Sequence, residues 1–458
     1  VILPNLDTTK FQSARLIPVT GIKGVIDQER RAASALLAVM SGVPELAIAL
    51  LKEAGAFQGE IETFIEPEFK INGKKVRPDG LIQITRGQKV WRALVEFKTG
   101  KSELDLGQIN QYLDIAQQEG IPVLITVSNE VLDATLAHPT EGIDSRRLRS
   151  IKLLHLSWLQ IITECIILSE HTGVADTDRD WVLKELIRFL QSDASGASEF
   201  NDMGPNWVTV REGIRNGAIV RPDENVLDVV SKFQNLIRYC AMMLAAKTGV
   251  NASYVSGESA RDDARKFMHL ESQKLVTKKL LTGAIKIPGA VANLHIEADI
   301  AAGMTHCYFD VLAPKEGRNK SRVNWILRQY KNTPSNATIA IGYKRSRSLE
   351  PSLSLKDLIS GTVDYDLDNS REINVFRIDV RAKAGTKRGR GQGAFIDSVL
   401  DQVLSAYEEA LQPLGLWVAA APKLSKNVKD LLPEIDPDEP ESEQNGIVFS
   451  PEGTGSQR

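Results

Sequence analysis

Cysteine is scarce: Cys165, Cys240 and Cys307 are the only three in 458 residues, and they lie far apart among apolar neighbours. Neither a disulfide framework nor CxxC metal spacing can be built from them, so buried, reduced thiols are expected. Histidine is thin as well, with six. HExxH and paired zinc spacings are absent and His306–Cys307 is the sole His/Cys adjacency, which argues against a zinc enzyme. Long apolar runs are missing too. The richest, Trp158 to Leu168, is short and carries Glu164, well under the roughly 18 residues a membrane span needs. The opening VILPNLDTTKFQ has no basic n-region followed by an apolar h-region and a small-residue cleavage site, so a cytoplasmic protein without a membrane partner is expected. What is present is ordinary globular material, 42% hydrophobic and 25% charged, in a length that suits two or three domains.

Formal net charge is only −3, yet the charge is segregated. Val311 to Arg347 holds nine Lys/Arg against the single acid Glu316, whereas Asp430 to Arg458 holds eight acids against Arg458. That asymmetry predicts an anion-binding surface followed by an acidic tail.

Periodicity predicts an α/β protein. Val25 to Ala54 reads as one or two helices, and strand patterns follow at Ile61–Ile71, Val76–Thr85 and Val90–Lys98, separated by Asn72-Gly73 and Arg86-Gly87. Leu104 to Glu119 is helical, Ile121 to Val127 is a continuous apolar strand, and the order is α, β, β, β, α, β. The expected organisation is an arm at 1–24, a first α/β domain at 25–192, and a linker at 193–222 that includes the small, polar stretch SDASGASEFNDMGPN. A helical region at 223–283, a second α/β domain at 284–420 and a disordered acidic tail at 421–458 complete it.

The stretch VRPDGLIQITRGQKVWRALVEFKTGK carries the chemistry. Asp79 follows Pro78 near the start of one strand, and Glu96-Phe97-Lys98 closes the next, behind apolar Ala93-Leu94-Val95. Alternation puts Glu96 and Lys98 on one face and Phe97 on the other. Two carboxylates so placed suit Mg²⁺ (or Mn²⁺), a hard cation that favours oxygen ligands, and an adjacent ammonium can orient water or stabilise developing charge. Taken one by one, Asp79 also fits a turn residue and Glu96 with Lys98 a same-face ion pair. Gly100-Lys101-Ser102 imitates the end of a Walker A loop, but the earlier glycine that loop requires falls at Val95.

In combination these residues resemble the PD-(D/E)xK nuclease superfamily, with the restriction-endonuclease-like fold, over about residues 25–170. Asp79 matches its first acid, Glu96 its second and Lys98 its lysine. EFKTG followed by Gln108 and Tyr112 is similar to the (D/E)xKTG and QxxxY elements of the RecB-like branch, although Pro78 stands where that branch usually has Gly. The resemblance implies that Asp79 and Glu96 bind the metal, that Lys98 positions water, and that Gln108 and Tyr112 support the lysine and substrate. It also implies that an acid from the first helix joins them, and Glu29 is the best placed, ahead of Glu45 and Glu53. The implied function is an Mg²⁺-dependent deoxyribonuclease, an endonuclease or exonuclease in restriction, repair or antiviral defence, acting alone, as a homodimer or with a protein partner. The alternative is a catalytically inactive protein that keeps the fold and binds nucleic acid or a partner.

Two basic segments of the second half are candidate DNA contacts. The predicted helix Lys320–Lys331 and its approach offer Arg318, Lys320, Arg322, Arg328 and Lys331, with Trp325 and Tyr330 interleaved. The glycine-rich RAKAGTKRGRGQG offers Lys387, Arg388 and Arg390. Phosphate contacts of this kind position nucleic acid without specifying sequence.

Overall fold

Apolar residues three and four apart give the first helix its buried stripe: Ala32, Ala33, Leu36, Leu37, Val39 and Met40 line one side of α1 (Val25–Gly42). Beyond Val43 the chain bends by 109° into α2 (Pro44–Leu51), whose first position is a proline, where the missing N–H leaves no bond unmade. In this computed structural model the described residues are 16–417, excepting 18–20, 22, 72, 101, 131–137, 141, 145, 198–199, 256–263 and 331–335. Most of the expected arm at 1–24 and the whole acidic tail at 421–458 lie outside them. The described residues up to Leu416 group as one compact unit.

The expected strand 61–71 breaks in two, β1 (Glu60–Ile65) and β2 (Phe69–Ile71), with β3 (Lys74–Val76) pairing β2 in a separate ribbon. The break has a local cause. Glu66 takes a left-handed φ of 47°, and Pro67 next to it has no N–H to give a ladder. Pro78 likewise cuts the expected strand 76–85, so that β4 runs only over Gly80–Arg86. Next come β5 (Lys89–Phe97), α3 (Leu106–Gln118), β6 (Val123–Ser128), β7 (Lys152–Ser157), α4 (Trp158–Ile167) and α5 (Thr177–Leu190). The five-stranded sheet runs β1-β4-β5-β6-β7, antiparallel through β5 and parallel from β5 to β7. Helix α3 supplies the crossover that a parallel β5–β6 pair requires.

Each face of this sheet has its own core. Helices α1, α2, α4 and α5 cover the face carrying Ile82, Ala93, Val95, Phe97 and Ile125. Helix α3 covers the other, where Ile109, Tyr112 and Leu113 pack on Leu94 and Leu124. Asp105 caps α3 by accepting from Gln108 N at 2.7 Å, and Ser157 caps α4 by accepting from Gln160 N at 3.1 Å, each such cap being worth about 1 kcal/mol.

The segment read as a linker at 193–222 is structured instead. It carries α6 (Trp207–Arg215), and Trp207 is buried with its ring 4.3 Å from Phe395 and its Nε1 donating to Thr386 O at 3.1 Å. Its small, polar composition hid the apolar anchors Met203 and Trp207. Nor does 223–283 form a region of its own. Helix α7 (Glu224–Thr248) contributes Val230, Phe233, Ile237 and Leu244 to the core of the second sheet.

That sheet follows from β8 (Ser253–Tyr254), α8 (Ala264–Lys278), β9 (Leu280–Lys286), β10 (Leu294–Asp299), β11 (Met304–Leu312), α9 (Asn319–Leu327), β12 (Ala337–Tyr343), β13 (Leu353–Ser354), α10 (Leu355–Ser360), β14 (Ile373–Lys383) and α11 (Phe395–Ser405). Its seven strands run β13-β12-β14-β11-β10-β9-β8, and every pairing is antiparallel. Leu159 of α4 belongs to its core, so the two sheets are joined through α4 and α7. All three cysteines are buried free thiols, each pushed up by burial, as expected. Among the described residues no single helix is long and apolar enough to cross a membrane; the α1–α2 pair reaches the length only across its bend, and its apolar side is core.

Candidate active site

The register of the first sheet explains why its polar residues meet. Gly80 pairs with Val95, so one step further along the antiparallel ladder Asp79 stands opposite Glu96. Glu96 pairs in turn with Thr126, and Thr126 with His155. Paired residues share a face, so a row of four polar side chains runs from Asp79, just before β4, across β5 and β6 to β7 at one end of the sheet. Leu94 and Leu124 lie one alternation further in, under α3.

Asp79 is held from two sides. Its Oδ2 accepts from Phe97 N at 2.8 Å, and its carbonyl accepts from the amide of the left-handed Glu66 at 3.0 Å. Glu66 is fixed by an ion pair with Arg30 of α1 at 2.7 Å. A strained backbone conformation thus buttresses the first acid.

Glu96 is 1% exposed. Lys98 Nζ lies 2.5 Å from its Oε1, whereas Oε2 is buried with no hydrogen-bond partner. Burial, with the Asp79 carboxylate beside it, raises the Glu96 carboxyl to about 8 despite Lys98. Lys98 is raised as well. Burial alone would lower it, but the carboxylates of Glu96, Glu29 and Asp79 outweigh that and hold the ammonium above its usual range. Glu29 of α1 comes within 3.5 Å of Lys98 Nζ, and burial raises its carboxyl too. The first helix therefore delivers its acid to the cluster. Glu45 does not reach it, lying against Arg179 and Ala175 N instead.

From α3, Gln108 Nε2 donates to Tyr112 Oη at 2.8 Å. Tyr112 is buried, and burial followed by the neighbouring Glu96 and Asp79 carboxylates raises its phenol, so the hydroxyl stays protonated. All six expected site residues, Glu29, Asp79, Glu96, Lys98, Gln108 and Tyr112, therefore converge at one end of the sheet.

Compared with protein-family models, curated proteins and solved structures, this chain matches none. The site has to be read from its own geometry.

The residues fit a divalent cation. A buried carboxylate oxygen without a partner is costly unless something satisfies it, and Glu96 Oε2 shares its face with the Asp79 carboxylate. Among the described residues no group of three or more His, Cys, Asp or Glu side chains converges as an ion cage. Mg²⁺ does not need one, because it is commonly held by one or two carboxylates with water and substrate phosphate completing its shell.

Several residues that shape the site carry no motif. Trp158, the first residue of α4, donates from Nε1 to Lys98 O at 2.8 Å and stacks on Phe97 with centroids 5.6 Å apart. Asn129, just past β6, donates to Gly100 O at 3.0 Å. At the end of the polar row, His138 Nδ1 accepts from Thr140 N at 3.1 Å, so its proton sits on Nε2 and is donated to Thr126 Oγ1 at 2.8 Å. Thr126 Oγ1 donates in turn to His155 Nδ1 at 3.0 Å, and His155 Nε2 donates to Glu130 O at 2.9 Å. Burial depresses both imidazoles to about 4. Thr126 and His155 were legible only as neighbours of Glu96 once the register was known.

The expected DNA contacts divide. Arg318, Lys320 and Arg328 are exposed on and beside α9. Arg322 is not available: it is 3% exposed and donates to Ile373 O at 2.7 Å, to Lys315 O at 3.0 Å and to Glu372. It staples α9 to β14. Lys387 and Arg388 are exposed, the latter 3.5 Å from Asp202. Arg390 is anchored to Asp397 at 2.5 Å and Tyr239 Oη at 3.1 Å, so it braces its loop. Lys331 lies outside the described residues. A cleft of about 830 Å³ between α4 and α7, lined by Gln160, Glu164, Arg238, Met242 and Tyr254, does not include the carboxylate cluster.

Proposed function

We propose that this protein is a metal-dependent nuclease of the PD-(D/E)xK kind that hydrolyses phosphodiester bonds in DNA in the cytoplasm, in defence, restriction or repair. One observation carries the reading: a buried carboxylate, Glu96, keeps one oxygen unpartnered in register with Asp79 while its other oxygen holds Lys98. A carboxylate oxygen without a partner at 1% exposure is costly, and a bound cation would satisfy it.

In this reading Asp79 and Glu96 hold Mg²⁺ or Mn²⁺. The ion supplies charge to polarise the phosphodiester and acidify a water molecule. The chain does the rest. Glu96 and Glu29 keep the Lys98 ammonium protonated and aimed, so that it can hold a water by hydrogen bond and offset charge that develops on phosphate oxygens. Tyr112, kept neutral, accepts from Gln108, which fixes its orientation, and keeps a proton to donate. The phosphate chain of DNA is drawn to Arg318, Lys320, Arg328, Lys387 and Arg388, whose contribution weakens with salt.

The test is cleavage of linear and circular, single- and double-stranded DNA with Mg²⁺ or Mn²⁺, comparing wild type with Lys98→Ala. Cutting that disappears in the variant supports the reading, and the circular substrates separate endonuclease from exonuclease action. Clean wild-type protein that binds DNA but never cuts it moves the protein to the non-catalytic alternative.

A further inference from the structure

Residues 193–197 are bonded to chain neighbours of both halves of the Glu29–Lys98 pair. Toward α1, Gln28 Nε2 donates to Asp193 O at 3.1 Å and Ala194 O at 3.3 Å, one residue from Glu29. Toward β5, Gly100 N donates to Gly196 O at 2.8 Å, two residues from Lys98. Asn129 bridges these partners, donating from Nδ2 to Gly196 O at 2.8 Å and to Gly100 O at 3.0 Å. Ser195 is fully buried, its Oγ donating to Leu190 O at 2.8 Å, so the segment is anchored to the end of α5.

The fit leaves no slack. Gly196 has φ +66°, and a Cβ built on it would lie 2.4 Å from Gln28 Oε1 and 2.9 Å from Thr99 Cβ. Lys98 is pinned on its other edges as well: its N–H donates to Val127 O at 2.8 Å and its carbonyl accepts from Trp158 Nε1 at 2.8 Å. Four separate pieces of chain, from α1, β6, α4 and the segment after α5, fix the turn that follows β5. A charge pair needing only to persist would not require such a frame, since exposed lysines reach carboxylates without one.

We propose that Asn129, with Gln28 and residues 193–197, forms a positioning strap that sets the height of Lys98 against Glu29 and Glu96, and that Trp158 locks the same turn from below. The proposal rests on the nuclease reading and deepens it. These residues touch no reacting atom; they act through Lys98. Because a displacement near 1 Å can cost about 100-fold in rate, loosening the strap lowers turnover rather than affinity.

The experiment compares wild type with Asn129→Ala, Gly196→Ala and Trp158→Phe, the last of which keeps a ring on Phe97 but deletes the N–H to Lys98 O. Two quantities are read: single-turnover cleavage against DNA affinity, and amide hydrogen exchange of the segment 98–102 in the protein alone. The expected result is a rate lowered roughly 10- to 100-fold at unchanged DNA affinity, with faster exchange confined to that segment in Asn129→Ala. Wild-type rates in all three variants overturn the proposal, as does unchanged exchange at Gly100. If Gly196→Ala fails to fold, Trp158→Phe and Asn129→Ala still decide. Wild type that cuts nothing sinks the nuclease reading and the catalytic part of the strap's role, and the exchange measurement then judges the mechanical part by itself.

Discussion

Replacing Glu96 by Gln makes a sharp demand on the site. In the metal-free protein the Glu96 carboxyl titrates near 8 instead of 4.5, because it is buried beside Asp79. Between those values the folded chain holds a proton that the unfolded chain has released, so unfolding free energy falls as pH rises, by at most about 1.4 kcal/mol per pH step from this one group. Across the window the penalty reaches the order of 3–5 kcal/mol at pH 8.5, a large share of the stability of a domain. Lys98 acts in the same sense at higher pH: its raised pKa gives stability that is present at neutral pH and is lost as pH climbs through its folded value. Gln has nearly the same shape and no charge to bury. Above pH 6.5, where His138 and His155 are neutral in folded and unfolded chain alike, urea unfolding in EDTA up to pH 9 is expected to show a falling trend in wild type, a flatter one in Glu96→Gln, and a more stable variant at the alkaline end. Added Mg²⁺ stabilises wild type alone, by about 2.7 kcal/mol at 100 times its Kd, and so narrows the gap to the variant. Parallel pH trends for the two proteins, or equal Mg²⁺ stabilisation, would refute the reasoning.

The remaining expectations are simpler. Asp79→Asn should fold normally, since an amide oxygen can still accept from Phe97 N, yet lose Mg²⁺-dependent stabilisation by calorimetry together with cleavage. His138 and His155 must stay neutral in the fold, so stability should be lost as pH drops from about 6.5 toward 4, by roughly 3 kcal/mol for each ring at most, and Thr126→Val should cost about 1–3 kcal/mol at pH 7 by stranding their partners. Arg322→Ala should destabilise the protein by about 3 kcal/mol and leave the salt dependence of DNA binding alone, because the guanidinium is buried against three acceptors. Lys320→Ala should do the reverse, leaving the melting curve in place and lowering the slope of log K against log salt by about 0.9.

Local rules made much of the first half legible. The 3.6-residue stripe of α1 and the apolar run of β6 are each decided by their own few residues, and so is the alternation that sets Glu96 and Lys98 apart from Phe97. The paired carboxylates were legible because the short Arg86-Gly87 turn places β4 beside β5, and the antiparallel register then fixes Asp79 against Glu96. Where a residue's role is set by a distant segment, sequence patterns were silent. Arg322 and Lys320 are indistinguishable in a charge run, yet helical phase turns one toward Ile373 and leaves the other in solvent. The polar composition of 193–222 resembles a linker because backbone carbonyls, which carry no sequence signature, make its contacts to Gln28 and Asn129. Asn129 itself is one amide after an apolar strand, and nothing local distinguishes it from a turn residue. The chemical groups of such a site sit on strands and helices that announce themselves, while the groups that hold them in place are recruited through main-chain acceptors from anywhere in the fold. That division predicts where motif-based reading should fail in this protein: at Asn129, Trp158 and Gly196, whose loss the exchange and single-turnover measurements would register although no pattern marks them.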